Sequence, residues 1–360
     1  MTDPALAFCT TLILVAFWRA MAGEGRHWAY AFFVGVGLGL LAKGPIALVL
    51  SGLPIFVWVL LRRQWLNLWQ RLPWVSGILV SLLVAAPWYI WAEIRTPGFL
   101  NYFIVGEHIH RFLDSGWQGD KYGFAHATPR GMIWLFSFGA LLPWSLVAPL
   151  WLSRARKQQP NGQTATDGWM SYLVLWSSMP LLFFSLSGNI IFPYALPMLP
   201  GACLLFAATW HRARRPEAPN RLPWIAGLTV AVGVILTVLQ AAMPERLLRT
   251  QKDVIAHWHA LQPETGSQLV YWSKRREFSS EFYSSGRTRA TYDGRVLQEL
   301  LAGASRDFVA IDANDLSELP TELQTRLDRL DEVEVKGNTV LILGERTALQ
   351  PPATADKETP

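Results

Sequence analysis

Six consecutive residues carry the densest chemistry in this 360-residue chain: Glu107-His108-Ile109-His110-Arg111-Phe112. On an α-helix Glu107 and Arg111 are i,i+4 neighbours and Glu107 and His110 are i,i+3, so the acid reaches both bases. Arg and His donate well to a phosphate, and a Glu beside a His suits a divalent cation, although this spacing by itself is no metal signature. Glu107 is therefore a candidate catalytic carboxylate. Glu107 and His108 are candidate metal ligands. His108, His110 and Arg111 are candidate phosphate contacts. The plainer reading of the same residues is an ordinary salt bridge on a helix at a membrane surface.

Three other positions join this set. Asp3 opens an apolar run just ahead of Pro4; it is either a helix N-cap or an acid placed at the mouth of a bundle. Lys43 sits in Ala42-Lys43-Gly44-Pro45, a break between two apolar runs, where an ammonium either holds a phosphate or snorkels to the interface. Tyr194 lies in Phe192-Pro193-Tyr194-Ala195-Leu196-Pro197, a proline-broken aromatic segment of the kind that lines cavities.

The elements that must position these groups are membrane helices. Half of the residues (51%) are hydrophobic and only 16% are charged, where a soluble domain carries nearer a quarter charged. Apolar runs long enough to cross a hydrocarbon core predict spans at 5–21, 28–43, 46–61, 73–92, 131–151, 169–187, 190–210 and 222–242. Gly44-Pro45 separates the second from the third, and Gly35, Gly37 and Gly39 allow close helix approach. Many of the 18 Trp flank these runs as interfacial belts do. The net charge of +5 comes from Lys and Arg gathered in short loops near 62–71, 152–167 and 211–221, which the positive-inside rule places in the cytoplasm. That clustering speaks against nucleic acid as a partner and for membrane lipids. The segment of about 93–130, which carries the Glu-His-Ile-His-Arg-Phe motif and closes on His126, Pro129 and Arg130, then faces outward. Cys9 and Cys203 lie in apolar runs and make neither a disulfide framework nor a metal site.

Beyond residue 243 the chain changes character. Strand patterns at 268–272, 307–311, 332–336 and 339–343 alternate with helical patterns at 278–284, 294–302 and 316–330, and Gly337-Asn338 marks a hairpin turn. The fold class is thus a polytopic α-helical membrane protein of about eight spans with a small C-terminal soluble α/β domain. The division is residues 1–243 in the membrane, 244–347 as an outward α/β domain, and a disordered Pro-, Thr- and Ala-rich tail at 348–360. His257 and His259, one residue apart on a helix, point away from each other and make no metal pair.

Six motifs in this order resemble the GT-C membrane glycosyltransferases, and within them the bacterial protein-mannosyltransferase-like group that includes the lipid A aminoarabinose transferases. They are Thr2-Asp3-Pro4, Leu41-Ala42-Lys43-Gly44-Pro45, Ala86-Pro87-Trp88-Tyr89, Glu107-His108-Ile109-His110-Arg111-Phe112, Gly139 through Pro143-Trp144, and Pro193-Tyr194-Ala195-Leu196-Pro197. The resemblance implies transfer of a sugar from a polyprenyl-phosphate carrier to a lipid A-like glycolipid or a protein, on the outer face of the bacterial inner membrane. The C-terminal domain would then be periplasmic. It implies Asp3 as a second functional acid, and Lys43, His108, His110, Arg111 and Tyr194 as contacts to the carrier phosphate and the cavity, with a divalent metal as an optional cofactor.

Two departures qualify it. The family's main catalytic acid lies in the first outer loop, which has no counterpart in this sequence, so the expectation is an N-terminally truncated product or a fragment, with both an active and an inactive form left open. Ser187, Gly188 and Asn189 stand where the family has Ser-Lys ahead of Pro-Tyr. The rival class is a transporter or flippase component, which predicts charges in mid-span and repeated halves; the polar residues here gather at the outer ends instead.

Overall fold

The computed structural model describes residues 2–114, 117, 119, 128–157, 168–213, 222–243, 250–274, 276–303 and 305–345. His126, the loop residues 158–167 and 214–221, and the tail 348–360 lie outside the described residues. The chain divides into two compact units, Met1–Arg221 and Leu222–Pro360, so the last apolar helix groups with the second.

The first unit is helical. Its elements are α1 (Asp3–Ala22), α2 (Arg26–Lys43), α3 (Ile46–Arg62), a short α4 (Trp65–Arg71), α5 (Trp74–Arg95), a π-helix (Asn101–His110) continued by one turn of α6 (Arg111–Leu113), α7 (Met132–Ala140), α8 (Trp144–Lys157), α9 (Trp169–Ser185), a 3₁₀ segment (Phe192–Met198) and α10 (Leu199–Ala213). Among the described residues three helices are long and apolar enough to cross a membrane: Asp3–Ala22, Trp74–Arg95 and Phe192–His211. Shorter apolar helices cover Ile46–Arg62, Trp169–Ser185 and Ala226–Ala242.

Two expected spans are broken. Residues 131–151 form α7 and α8 with a turn at Leu141 and Pro143, because Pro143 has no N–H to give the helix and its ring crowds the preceding turn. Residues 190–210 begin as the 3₁₀ segment, whose Pro193 and Pro197 force the tighter winding before α10 starts. The helix α4, inside the basic loop at 62–71, was not visible as a separate element.

Helix α1 is the hub. Its buried positions include Leu6, Cys9, Thr10, Ile13, Leu14 and Phe17. Helix α2 packs on three neighbours through its glycines. A Cβ on Gly35 would meet Ile13 of α1 at 3.0 Å, one on Gly39 would meet Ala47 of α3 at 2.8 Å, and one on Gly37 would meet Val84 of α5 at 2.8 Å. Positions i and i+4 share a helix face while i+2 points nearly opposite, so these three glycines admit close neighbours on both sides. Polar cross-links reinforce the packing: Tyr172 of α9 donates to Leu14 O of α1 (2.8 Å), and Ser81 and Tyr89 of α5 donate to Phe33 O (2.6 Å) and Leu40 O (2.7 Å) of α2. On the far side of α5, Val75, Leu79, Leu83 and Ile94 are exposed, as expected for side chains that face lipid rather than water.

The second unit holds the apolar α11 (Leu222–Ala242) and a five-stranded mixed sheet of order β2-β1-β3-β5-β4. The strands are β1 (Leu269–Trp272), β2 (Thr288–Thr291), β3 (Phe308–Asp312), β4 (Leu327–Val335) and β5 (Asn338–Glu345). β1 runs parallel to β2 and β3, while β5 is antiparallel to β3 and β4. Side chains alternate across the strands. Leu269, Tyr271, Phe308 and Ala310 pack under Trp258 of the helix Lys252–Ala260, whereas Val270, Trp272, Val309 and Ile311 pack under Leu297 and Leu323 on the other face. The stretch 316–330, read from sequence as one helix, ends as a helix at Arg326, and Leu327 starts β4. Pro320 interrupts the helical run, and pairing with β5 claims the rest. The turn is Lys336-Gly337, both with positive φ (52° and 79°), the conformation that two-residue hairpins favour. β2, four residues at the sheet edge, carries no alternation to announce it. His257 pairs with Asp331 and His259 meets Arg287, so the two imidazoles do serve different neighbours.

Candidate functional site

Three chain segments of the first unit bring charged side chains to one cavity of about 530 Å³. The first is the start of α1. Thr2 is the N-cap and Asp3 the first helical residue, with Pro4 in the first turn. The Thr2 side chain makes no capping hydrogen bond, and Asp3 lies one place past the cap. Its carboxylate instead accepts from the Lys43 ammonium, and it is 5% exposed. The capping reading of Asp3 therefore gives way to that of an acid held at the bundle mouth.

The second segment is the turn between α2 and α3. Gly44 sits at φ 67°, ψ −151°, a region open essentially to glycine alone. This turn ends α2 with Lys43 beside the cavity rather than running outward to the interface. The Lys43 ammonium lies 4.4 Å from the centre of the Tyr194 ring. Tyr194 comes from the 3₁₀ segment and packs against Phe184 of α9 (4.9 Å between ring centres). Asp3, Lys43 and Tyr194 thus form one polar cluster.

The third segment is the π-helix, in which backbone bonds span five residues and side chains five apart stack. Tyr102 donates to one oxygen of Glu107, and Arg111 donates to the other at 2.7 Å. The i,i+4 pair of Glu107 and Arg111 forms as the spacing predicts. The i,i+5 pair with Tyr102 depends on the wide winding, which nothing in the sequence announced. His110 turns away: it is exposed, stacks on Trp117 at 6.4 Å and does not border the cavity. The expected reach of Glu107 to His110 and the role of His110 as a cavity contact are corrected accordingly, since the wider π winding turns less per residue and leaves residue 110 short of the face that residue 107 occupies.

His108 borders the cavity but directs both ring nitrogens at backbone. Nε2 lies 2.9 Å from Lys43 O and Nδ1 lies 2.6 Å from Phe103 O. The metal reading of Glu107 and His108 does not fit this arrangement. Both carboxylate oxygens and both imidazole nitrogens are engaged within the protein, and among the described residues no three His, Cys, Asp or Glu side chains cluster.

The rest of the cavity wall is aromatic, with Trp88, Phe99, Phe103, Phe112 and Phe184 among its residues. Trp88 and Phe99 meet edge to face at 5.3 Å, and Phe99 stacks on Phe103 at 5.3 Å. Ser187 and Asn189, the positions where the family pattern has Ser-Lys, also reach the wall and are 2% and 4% exposed. The motif Ala86-Pro87-Trp88-Tyr89 contains Trp88, but residue type and spacing assign neither Trp88 nor Tyr102 to the site, and both line the cavity. The cavity combines two cation–carboxylate pairs with a wide apolar wall, which is the chemistry of a group bearing both negative charge and hydrocarbon.

Comparison with known proteins agrees with this architecture. Residues 1–103 match the family described as dolichyl-phosphate-mannose-protein mannosyltransferase. The undecaprenyl phosphate-alpha-4-amino-4-deoxy-L-arabinose arabinosyl transferase 2 of Pseudomonas fluorescens (strain Pf0-1) is 31% identical over 258 residues, covering 69% of this chain and 44% of that protein. Transferase 1 of the same strain is 32% identical over 211 residues, covering 58% and 35%. ArnT from Cupriavidus metallidurans, in the crystal structure bound to undecaprenyl phosphate, superposes with a TM-score of 0.64 over 98% of this chain and 76% of that one, at 16% identity. The chain is an aminoarabinose-transferase-like protein with the GT-C fold. This aminoarabinose-transferase-like chain spans less than half the length of those two curated relatives.

Proposed function

We propose that the chain takes part in moving a sugar from a polyprenyl-phosphate carrier to a lipid acceptor, and that the cavity between α1, the α2–α3 turn and the π-helix holds the carrier's phosphate. The observation that carries this is the pairing of Lys43 and Arg111 with an aromatic wall in one cavity. A phosphate entering there exchanges Asp3 and Glu107 as the partners of the two cations, while the first isoprene units lie against Trp88, Phe99 and Phe103. The relatives named as transferases of undecaprenyl phosphate-linked aminoarabinose support the donor class.

In this reading an acceptor oxygen attacks the anomeric carbon of the sugar, the bond from that carbon to the carrier phosphate breaks, and the phosphate leaves with the electron pair. Lys43 and Arg111 neutralise the charge that builds on it. Asp3 and Glu107, displaced from their cations, are the carboxylates placed to take the acceptor's proton. Tyr194 holds the Lys43 ammonium over its ring face. The orientation follows the basic loops: the cavity faces the periplasmic side of the bacterial inner membrane, about eight helices span it, and residues 244–347 form a periplasmic domain.

The test is binding of farnesyl phosphate to the purified chain in nanodiscs, by calorimetry. Lys43→Ala and Arg111→Ala each weaken binding about tenfold or more, as expected for loss of one charge-assisted contact. Farnesol, which lacks the phosphate, binds no variant differently. Equal binding of farnesol and farnesyl phosphate by the unmodified chain overturns the proposal.

A further inference from the structure

The cavity raises a question that its ligand chemistry leaves open: what fixes an ammonium on a four-carbon stem at one place in the wall. We infer that His108 is a positioning residue for Lys43, acting through the backbone of the α2–α3 turn; this rests on the reading of the cavity as a phosphate site. The last carbonyls of a helix have no partner within it. At the end of α2, Leu40 O accepts from Gly44 N (2.8 Å) and from the Tyr89 hydroxyl (2.7 Å). Pro45 offers no N–H, and Ala47 N and Leu48 N donate to Gly44 O and Pro45 O. Lys43 O is met by a side chain from another segment, His108 Nε2 at 2.9 Å.

The ring also sits directly on the turn. A Cβ on Gly44 would lie 3.0 Å from His108 Cε1 and 2.6 Å from Phe103 Cε1. His108 Nδ1 meets Phe103 O, five residues back, and its ring packs edge-on to the Phe103 ring at 5.0 Å. The π winding therefore delivers one histidine with both nitrogens committed, one to its own helix and one to the carbonyl of the residue whose ammonium borders the cavity. Holding that carbonyl fixes the Cα of Lys43, and with it the arc its ammonium can sweep between Asp3 and Tyr194. No polar atom of His108 is left over for the ligand in this arrangement, so its effect on binding passes through Lys43.

A double-mutant cycle separates this from direct contact. With farnesyl phosphate as probe and the full chain in nanodiscs, His108→Leu weakens binding about tenfold, and His108→Gln, which keeps an N–H donor, recovers most of it. In a Lys43→Met background His108→Leu costs nothing further. An undiminished tenfold loss in that background overturns the inference, because His108 would then act on the ligand or on the cavity as a whole. Should the unmodified chain not bind farnesyl phosphate at all, the phosphate reading fails, and the positioning role is still read directly. Acylation of the Lys43 amine by a water-soluble reagent, followed by mass spectrometry, accelerates in His108→Leu and returns toward the original rate in His108→Gln. Unchanged labelling in both overturns it. Where His108→Leu fails to fold, His108→Gln and His108→Asn carry the same comparison.

Discussion

Replacing Lys43 with Met removes one half of an ion pair whose other half, Asp3, is almost wholly buried. The Asp3 side chain is 8% exposed and that of Lys43 is 25% exposed. Breaking a buried pair from one side costs about 3–5 kcal/mol, because the remaining charge keeps its desolvation penalty and loses its compensation. Lys43 borders a cavity that water can enter, so the low end, about 3 kcal/mol, applies, with about 0.5–1 kcal/mol more from the contact over the Tyr194 ring. Asp3→Asn is milder, about 1–2 kcal/mol, since the freed ammonium turns toward the cavity and its water. Removing both charges together leaves two neutral groups and no stranded ion, so Asp3→Asn/Lys43→Met loses no more than about 2 kcal/mol. The singles sum to about 5 kcal/mol, which makes the coupling about 3 kcal/mol. Reversible unfolding in mixed micelles, followed by far-ultraviolet circular dichroism, measures all four corners of the cycle. A double variant whose loss equals the sum of the singles refutes the reasoning, for it would mean that the two side chains do not depend on each other.

Two further predictions follow from positions where the geometry leaves little choice. Gly44→Ala places a methyl 2.6 Å from Phe103 at a backbone conformation reserved for glycine, and the same unfolding assay registers a loss of about 2–4 kcal/mol; a loss below about 0.5 kcal/mol would show that the turn relaxes freely. In the sheet unit, burial holds the Asp307 carboxyl above its usual range, opposed by the Gln268 N–H that it accepts. A raised acid favours the folded state fully below its unfolded pKa of about 4 and loses that contribution as pH rises through the folded value. Asp307→Asn therefore flattens the fall in stability of the sheet unit across that window, read from Trp258 and Trp272 fluorescence on unfolding; parallel lines for the two proteins across the window would exclude it.

Sequence alone determined the class of this protein and most of its parts. Hydrophobic run length has no soluble alternative at this density, and a break such as Gly44-Pro45 ends a helix wherever it occurs. The spans at 5–21, 28–43, 46–61 and 73–92 correspond to α1, α2, α3 and α5 within a few residues, and the close-packing role of Gly35, Gly37 and Gly39 followed from their missing side chains. The pair of Glu107 and Arg111 was legible because i,i+4 spacing is local. What lies far apart in sequence was not legible. Asp3 and Lys43, 40 residues apart, meet only because α1 and α2 pack along their length, and Tyr194 joins them through the folding-back of the 3₁₀ segment. The π winding of Asn101–His110 is likewise a tertiary outcome: it adds one residue per turn, sends His110 outward and brings Tyr102 onto Glu107. Periodicity assumes an α-helix, and the energy that selects the wider turn comes from contacts such as His108 on Lys43 O, between segments 65 residues apart. The residue types that do chemistry were therefore visible in the chain, while the side each one faces was decided by packing.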